Sequence, residues 1–446
     1  MKETSDRRKL LGGAIGNMGE QFDYSIYALV APTIALHFFP NSSPLVALLS
    51  TFAVYAVSFV ARPFGGFLFG YVGDRYGRLA VLSWTVVLMG GGTMLVGLLP
   101  TYESIGVLAP ALLVVCRLLQ GLSLGGETTG VESYITESAP EGKRASWMGK
   151  AMSFVYWAPA LVAFTILGLR SVMGDEAFTA WGWRIPFLLG GLVAVVGYLL
   201  RRTLDDSDEF KESVAEQRRA GTAVDEESAV AALGDSLRTR RSMLLVILVQ
   251  PTNAVGAYLL TAYMYTYVVR EGGLSATQAL FTNSGAVITL AVLLPFTGML
   301  CDRIGRKPMY AIGAAWLFVT AYPTFLLAGS GNVWGALIGQ MMIAIGVALY
   351  ASALFVGLVE LFPTALRCRG HGISYNISVA LFGGTTPFIA TALIGATGSS
   401  LAPAFYAMAL IGTIGLAGIL LVPETRNIDL RTSIYGSPPS VPNPAR

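Results

Sequence analysis

The chain has 446 residues, of which 54% are hydrophobic and only 13% charged, with a net charge of +3 and a mean hydropathy of +0.61. A soluble globule carries about 25% charged residues, so this composition excludes one and places the chain in a membrane. The small, dispersed positive charge gives no reason to expect nucleic acid as a partner. Apolar stretches of roughly 20 residues alternate with short polar turns, which specifies an all-α helical bundle rather than a barrel of short strands.

In chain order, spans are expected at 10–39, 45–72, 79–99, 106–137, 147–170 and 183–202, then at 242–269, 276–300, 308–328, 332–360, 367–396 and 400–422. Six spans precede a charge-rich segment and six follow it. The expected organisation is therefore a bundle over 1–202, a linker over 203–241, a second bundle over 242–424 and a disordered tail over 425–446. Of the 30 Lys and Arg, Arg62 and Arg117 fall inside spans and Arg170, Arg184 and Arg270 fall on one sparse face; all the rest share the other face. By the positive-inside rule that face is cytoplasmic and holds both termini. The basic start leads into a long first span, unlike a cleaved signal peptide. Cys116, Cys301 and Cys368 are far apart and read as apolar packing residues, with no metal spacing.

The two halves repeat each other. Gly70-Tyr-Val-Gly-Asp74-Arg75-Tyr-Gly-Arg78 returns after span eight as Gly298-Met-Leu-Cys-Asp302-Arg303-Ile-Gly-Arg306. Glu137, Pro140 and Arg144 after span four return as Glu360, Pro363 and Arg367 after span ten. Parallel six-helix halves of this kind are a transporter architecture, with the substrate site between them near the midplane.

The doubled G-x-x-x-D-R-x-G-R loop resembles the signature of the major facilitator superfamily. Gly16-Asn17-x-x-Glu20-x-Phe22-Asp23, Arg62-Pro63-x-Gly65-Gly66 and Arg117-x-x-Gln120-Gly121-x-x-x-Gly125-Gly126-Glu127 carry a narrower resemblance, to its metabolite:proton symporter family. Trp183-Arg184-x-Pro186-Phe187, Tyr375-Asn376 and Gly383-Gly384-x-x-Pro387 extend it along nearly the whole chain, whereas Gln21 departs from the family's usual aromatic residue. The resemblance implies an alternating-access secondary transporter of the inner or plasma membrane, acting as a monomer with the proton as coupling ion and no other cofactor. It suggests a small organic acid such as 2-oxoglutarate, citrate or shikimate as substrate. Alternatives are a zwitterion such as betaine or proline, proton-driven export of a metabolite, and a membrane sensor that signals without transport. No P-loop or nucleophile–base pair points to an enzyme.

Glu20 and Asp23 lie about 15 to 20 Å into span one at 1.5 Å per residue, near the middle of a core about 30 Å thick. An ionised carboxylate there costs several kcal/mol unless it is paired or wet. Spacing of three puts both on one helix face, so they are either proton-coupling residues or permanent partners of an arginine on a neighbouring span. Arg117 sits at similar depth with Gln120 on its face. Its guanidinium matches a substrate carboxylate, or else neutralises Glu20 or Asp23. Arg62 and Glu127 are expected to pair with each other or with helix ends, and Glu132 and Glu137 to join the cytoplasmic surface network. His37 and His371 have no partner cluster in the sequence.

The repeat makes the second half a neutral copy. The displacement that carries Glu137 to Glu360 carries Arg117 to Gln340, and one close to the loop displacement carries Glu20 and Asp23 to Gln250 and Asn253. Proton handling is therefore expected in the first half. Asn17 and Tyr27, with Gln250, Asn253, Tyr258, Tyr263, Asn283, Tyr350, Tyr375 and Asn376, are expected either to shape the substrate site or to make interhelical hydrogen bonds. The resemblance implies that Asp74, Arg75, Arg78, Asp302, Arg303 and Arg306, with Glu137, Arg144, Glu360 and Arg367, are gates. Asp74 is expected at the start of span eleven and Asp302 at the start of span five.

Overall fold

The computed structural model describes residues 17–76, 78–125, 127–203, 237–362 and 364–428. Most of the expected linker (204–236) and of the tail (429–446) lies outside the described residues, as do the side chains of Asp74, Arg75, Arg78 and Glu127.

Twelve helical spans occur among the described residues. Span one is helical over 17–29 and continues as Ala31–Phe38; spans two and three are Pro44–Tyr76 and Arg78–Leu98. Span four is broken into Leu108–Ser123 and Glu127–Ser138, and spans five and six are Arg144–Met173 and Arg184–Thr203. Span seven runs from Leu237 to Arg270, starting five residues before the position the hydropathy specifies. Spans eight, nine and ten are Ala276–Ile304, Arg306–Ala328 and Val333–Glu360. Span eleven comprises Thr364–Ser378, Val379–Gly383 and Thr386–Thr397, and span twelve runs from Ala402 to Leu421.

Local chemistry sets several of these limits. Span eight opens on a capping box, in which Ser275 Oγ accepts from the Gln278 amide at 3.2 Å and Gln278 Oε1 accepts from the Ser275 amide at 3.0 Å. Span ten opens on Asn332, whose side chain accepts from the Trp334 amide at 2.9 Å. Spans seven and eleven each widen by a π-helical turn, Leu259–Tyr263 and Val379–Gly383, directly beside the interior described below.

The outer faces present large apolar side chains, among them Val60, Phe64, Leu98, Phe296, Val319 and Leu420. A water-soluble surface does not carry so much exposed hydrocarbon. The buried side is itself largely apolar, yet it also holds Glu20, Asp23, Arg62, Arg117, Glu132, Glu360, Arg367 and His371, charges that would be costly against lipid.

The two six-helix halves meet along paired interfaces. Span five packs along span eight, and span two along span eleven, as the repeat demands of equivalent helices. Gly298, the first residue of the second loop motif, makes the first interface close: a Cβ there would lie 2.5 Å from the Ala145 carbonyl oxygen. That contact sets the start of span five against the end of span eight.

Candidate functional site

The charges of span one do not form a shared carboxylate pair. Glu20 takes the guanidinium of Arg62 on span two, while Asp23 takes Arg117 on span four. Arg62, expected to pair with Glu127 or with helix ends, pairs with Glu20; the Glu127 side chain lies outside the described residues.

Around Asp23 the side chains of the first bundle form a dense network, in which Arg117 Nε has no hydrogen-bond partner among the described residues. Arg117 Nη1 donates to Asp23 Oδ2 at 3.0 Å and to Gln120 Oε1 at 3.0 Å, and its Nη2 donates to Ser58 Oγ at 3.2 Å. Thr93 Oγ1 and Gln120 Nε2 donate to Asp23 Oδ1 at 2.6 and 2.7 Å. The guanidinium also lies over the rings of Tyr27, Tyr24 and Tyr55, at 4.6, 5.4 and 5.6 Å. Span four reaches this position because Gly121 lacks a side chain: a Cβ there would come within 2.0 Å of the Ser58 carbonyl oxygen. Arg117 and Gln120 are wholly buried. Tyr27 hydroxyl donates to the Thr51 carbonyl at 3.0 Å.

A separate cavity of about 40 Å³ lies between the halves, lined on the first half by Asn17, Glu20, Gln21, Arg62, Glu132 and Tyr156. Gln250, Asn253, Tyr258, Thr261, Phe355 and Tyr375 line it on the second half. At about 10–15 Å³ for one water, this is room for roughly three waters. Of the residues expected at a substrate site, the cavity gathers Asn17, Gln250, Asn253, Tyr258 and Tyr375. It does not gather Arg117, Gln120, Tyr27, Tyr350 or Asn376. Tyr350 donates to the Val249 carbonyl at 2.8 Å, and Asn376 Nδ2 donates across the halves to the Gly125 carbonyl at 2.9 Å. Gln340, the counterpart of Arg117, binds Asn283 and Thr282 within the second bundle at 3.0 and 2.9 Å.

Contacts between the halves flank the cavity on both sides. On one side Phe59 meets Tyr258 edge-on at 5.3 Å and Phe52 tilts against Tyr263 at 6.2 Å, each contact joining span two to span seven. On the side bearing the loop motifs, the repeat exchanges partners: Glu137 of the first half binds Arg367 of the second, and Glu360 of the second binds Arg144 of the first at 3.2 Å. Asp302 accepts from the amides of Ala145 and Ser146 at 3.0 and 2.8 Å, at the start of span five. Arg306 joins this cluster through Glu360 at 3.1 Å and Asp302 at 3.3 Å, whereas Arg303 points outward, exposed. Thr425, expected in the tail, is buried and donates to Glu360 at 2.6 Å. Next to it Glu424 accepts from the amides of Arg306, Lys307 and Arg426, each at 2.9 Å. Partial burial pushes the Glu424 carboxyl up, but those three N–H groups and the Arg306 charge outweigh it and hold it below the ordinary range.

Glu132 is not where the sequence reading put it, and His371 has a partner that the sequence did not show. Glu132 is buried inside the interface rather than on the surface, and its Oε2 lies 2.8 Å from Nε2 of His371 on span eleven. The link spans 239 residues of chain, so local patterning gave no sign of it. The usable signal was depth: Glu132 precedes Glu137 by more than a helical turn and so lies further into the bundle.

A family model described as "Sugar (and other) transporter" matches residues 12–433. The chain is 35% identical over 442 residues to a glycine betaine/proline/ectoine/pipecolic acid transporter of Dickeya dadantii, covering 95% of this chain and 85% of that protein. It is 36% identical over 444 residues to an ectoine/proline transporter of Corynebacterium glutamicum, covering 98% and 86%. A proline/betaine transporter of Escherichia coli K12 is 32% identical over 432 residues, covering 95% and 85%. Among solved structures, a D-xylose–proton symporter superposes with a TM-score of 0.72 at 20% identity, covering 94% of this chain and 98% of that one. At that identity the likeness speaks for the fold. The interior cavity and the match over nearly the whole length agree: the chain has the major facilitator fold and belongs to the sugar (and other) transporter family.

Proposed function

We propose that this chain is a proton-coupled symporter of small zwitterions, of the betaine, proline or ectoine type. The carrying observation is the chemistry of the cavity wall. One guanidinium, Arg62, faces it together with two carboxylates, Glu20 and Glu132, and the rings of Tyr156, Tyr258 and Tyr375. A zwitterion carries one charge for each kind of group: its carboxylate suits the guanidinium fork, and its ammonium suits carboxylates and aromatic faces. A di- or tricarboxylate would meet more negative than positive charge there. The relatives, whose names give betaine, proline and ectoine as their substrates, support the same reading over an organic acid.

Coupling follows from competition for Arg62. When a substrate carboxylate takes the guanidinium, Glu20 loses its bond to Arg62 in a small cavity with little water, where its carboxyl group is stabler protonated than ionised. Glu20 is better placed for this than Asp23, which faces its own cluster away from the cavity. The two bundles, 1–202 and 242–424, would rock about the cavity with the 203–241 linker between them. The loop motifs and both termini would face the cytoplasm across the inner or plasma membrane, with one chain as the functional unit.

Calorimetric binding to the purified protein tests the substrate class. Glycine betaine should bind, and its analogue without a carboxylate should bind at least roughly ten-fold more weakly, the loss of about 1.4 kcal/mol from one charge-assisted bond. Tight binding of 2-oxoglutarate with none of the zwitterions would overturn the reading in favour of an organic acid.

A further inference from the structure

Spans four and eleven run antiparallel across the interface of the halves and are joined at three levels. Glu137 binds Arg367 at the loop-motif end, Glu132 binds His371 about one turn further in, and the Gly125 carbonyl accepts from Asn376 beyond that. The middle level is unlike the other two. Both side chains have zero exposure, and Glu132 also lines the cavity. Oε1 of Glu132 and Nδ1 of His371 have no hydrogen-bond partner among the described residues.

The repeat shows that the fold does not need this pair. The displacement that relates Glu137 to Glu360 takes Glu132 to Phe355 and takes His371 back to Met148. Both of these are buried apolar residues on spans ten and five, so the equivalent level of the other interface is closed without charge. A buried acid and imidazole replacing hydrocarbon brings a desolvation cost, which packing alone does not explain. Charged and titratable groups near the pair are Glu20 on span one, Arg62 on span two, Tyr156 on span five and Tyr375 on span eleven itself; spans seven and ten, which also pack there, bring Tyr258 near Tyr375 and, just past the end of span ten, the apolar Phe362 beside His371.

We propose that Glu132 is a proton-loading site whose bond to His371 latches the loop-motif end of the carrier, so that one proton taken from the cavity releases the gate. A proton reaching the cavity adds to the free Oε1 and forms an O–H bond. The carboxylate becomes a neutral acid, and Oε2 then accepts from His371 more weakly, since charge-assisted hydrogen bonds are about twice as strong as neutral ones. Spans four and eleven part at the loop-motif end, water enters, and the same proton leaves Oε1 into it. This rests on the symport reading for its biological use, but the latch itself is testable without any substrate.

The experiment is a distance measurement between spin labels on Glu141→Cys and Arg240→Cys, both exposed sites, one on each half. The protein is placed in lipid nanodiscs with Cys116, Cys301 and Cys368 replaced by Ser, at about pH 5 and about pH 8, bracketing the range in which perturbed carboxylates and imidazoles titrate. Longer distances are expected at the lower pH. Glu132→Gln, which keeps shape and mimics the protonated acid, should hold the longer distance at both pH values. The double variant Glu132→Phe with His371→Met, which copies Phe355 and Met148, should stay short at both. A label distance in the parent protein that does not respond to pH, or a response that survives in either variant, would overturn the latch. Failure of every zwitterion to be transported would count against the proposed function and leave this readout untouched.

Discussion

Arg117 and Arg62 look alike in the sequence, each a lone guanidinium within an apolar span, yet their surroundings assign them different work. Arg117 is enclosed by Asp23, Gln120, Ser58 and three tyrosine rings, so its removal strands a buried carboxylate. Arg117→Ala is expected to destabilise the protein by about 3–5 kcal/mol, read as a large fall in Tm, with Asp23→Asn recovering part of it. An unchanged Tm would contradict the enclosed role. Arg62 faces the cavity, and Arg62→Lys exchanges a fork for a point charge. Zwitterion affinity should drop roughly ten-fold while Tm moves little. Helix depth, counted at 1.5 Å per residue, was enough to pick out Glu20, Asp23 and both arginines from the sequence. Which carboxylate meets which arginine was not, because that depends on how each helix is turned about its axis, and on Gly121 admitting span four next to Ser58.

At the scale of elements, the start of span five and the start of span nine are each held by a carboxylate from another segment. Asp302 caps span five and Glu424 caps span nine. Asp302→Asn keeps one acceptor and loses the charge that favours a helix N-terminus, an effect of about 0.3–1 kcal/mol at each such end. The labels described above should then report a larger share of the longer distance at neutral pH; an unchanged distribution would show that Asp302 does not hold the gate. Glu424 adds a pH effect of defined sign. Its folded carboxyl titrates below its unfolded value, so its contribution is fully present above the unfolded value of about 4.3 and is lost as pH falls through the folded one. Hydrogen exchange at the Arg306 and Lys307 amides, corrected for intrinsic rates, should quicken on acidification below that range, and Glu424→Gln should remove the pH dependence. The loop motif and the Glu–Pro–Arg repeat announced these contacts in the sequence. The exchange of partners between halves, Glu137 with Arg367 and Glu360 with Arg144, follows from the two-fold relation of the bundles and needed three dimensions to be seen.

For the whole molecule, hydropathy alone placed the twelve spans, because every apolar helix had to be about as long as the bilayer is thick. The repeat likewise foretold a second half with neutral counterparts, and Gln250 and Asn253 do face Glu20 across one cavity. The substrate class was less legible. It turns on the balance of charge in that cavity, and Glu132, counted as a surface residue in the sequence, changes the balance. The most direct test is accumulation of labelled glycine betaine, proline, ectoine and 2-oxoglutarate in proteoliposomes, with and without an inward proton gradient. The account predicts gradient-driven accumulation of at least one zwitterion, none of 2-oxoglutarate, and loss of accumulation with exchange retained in Glu20→Gln. Gradient-driven accumulation of 2-oxoglutarate alone, or full accumulation by Glu20→Gln, would contradict it.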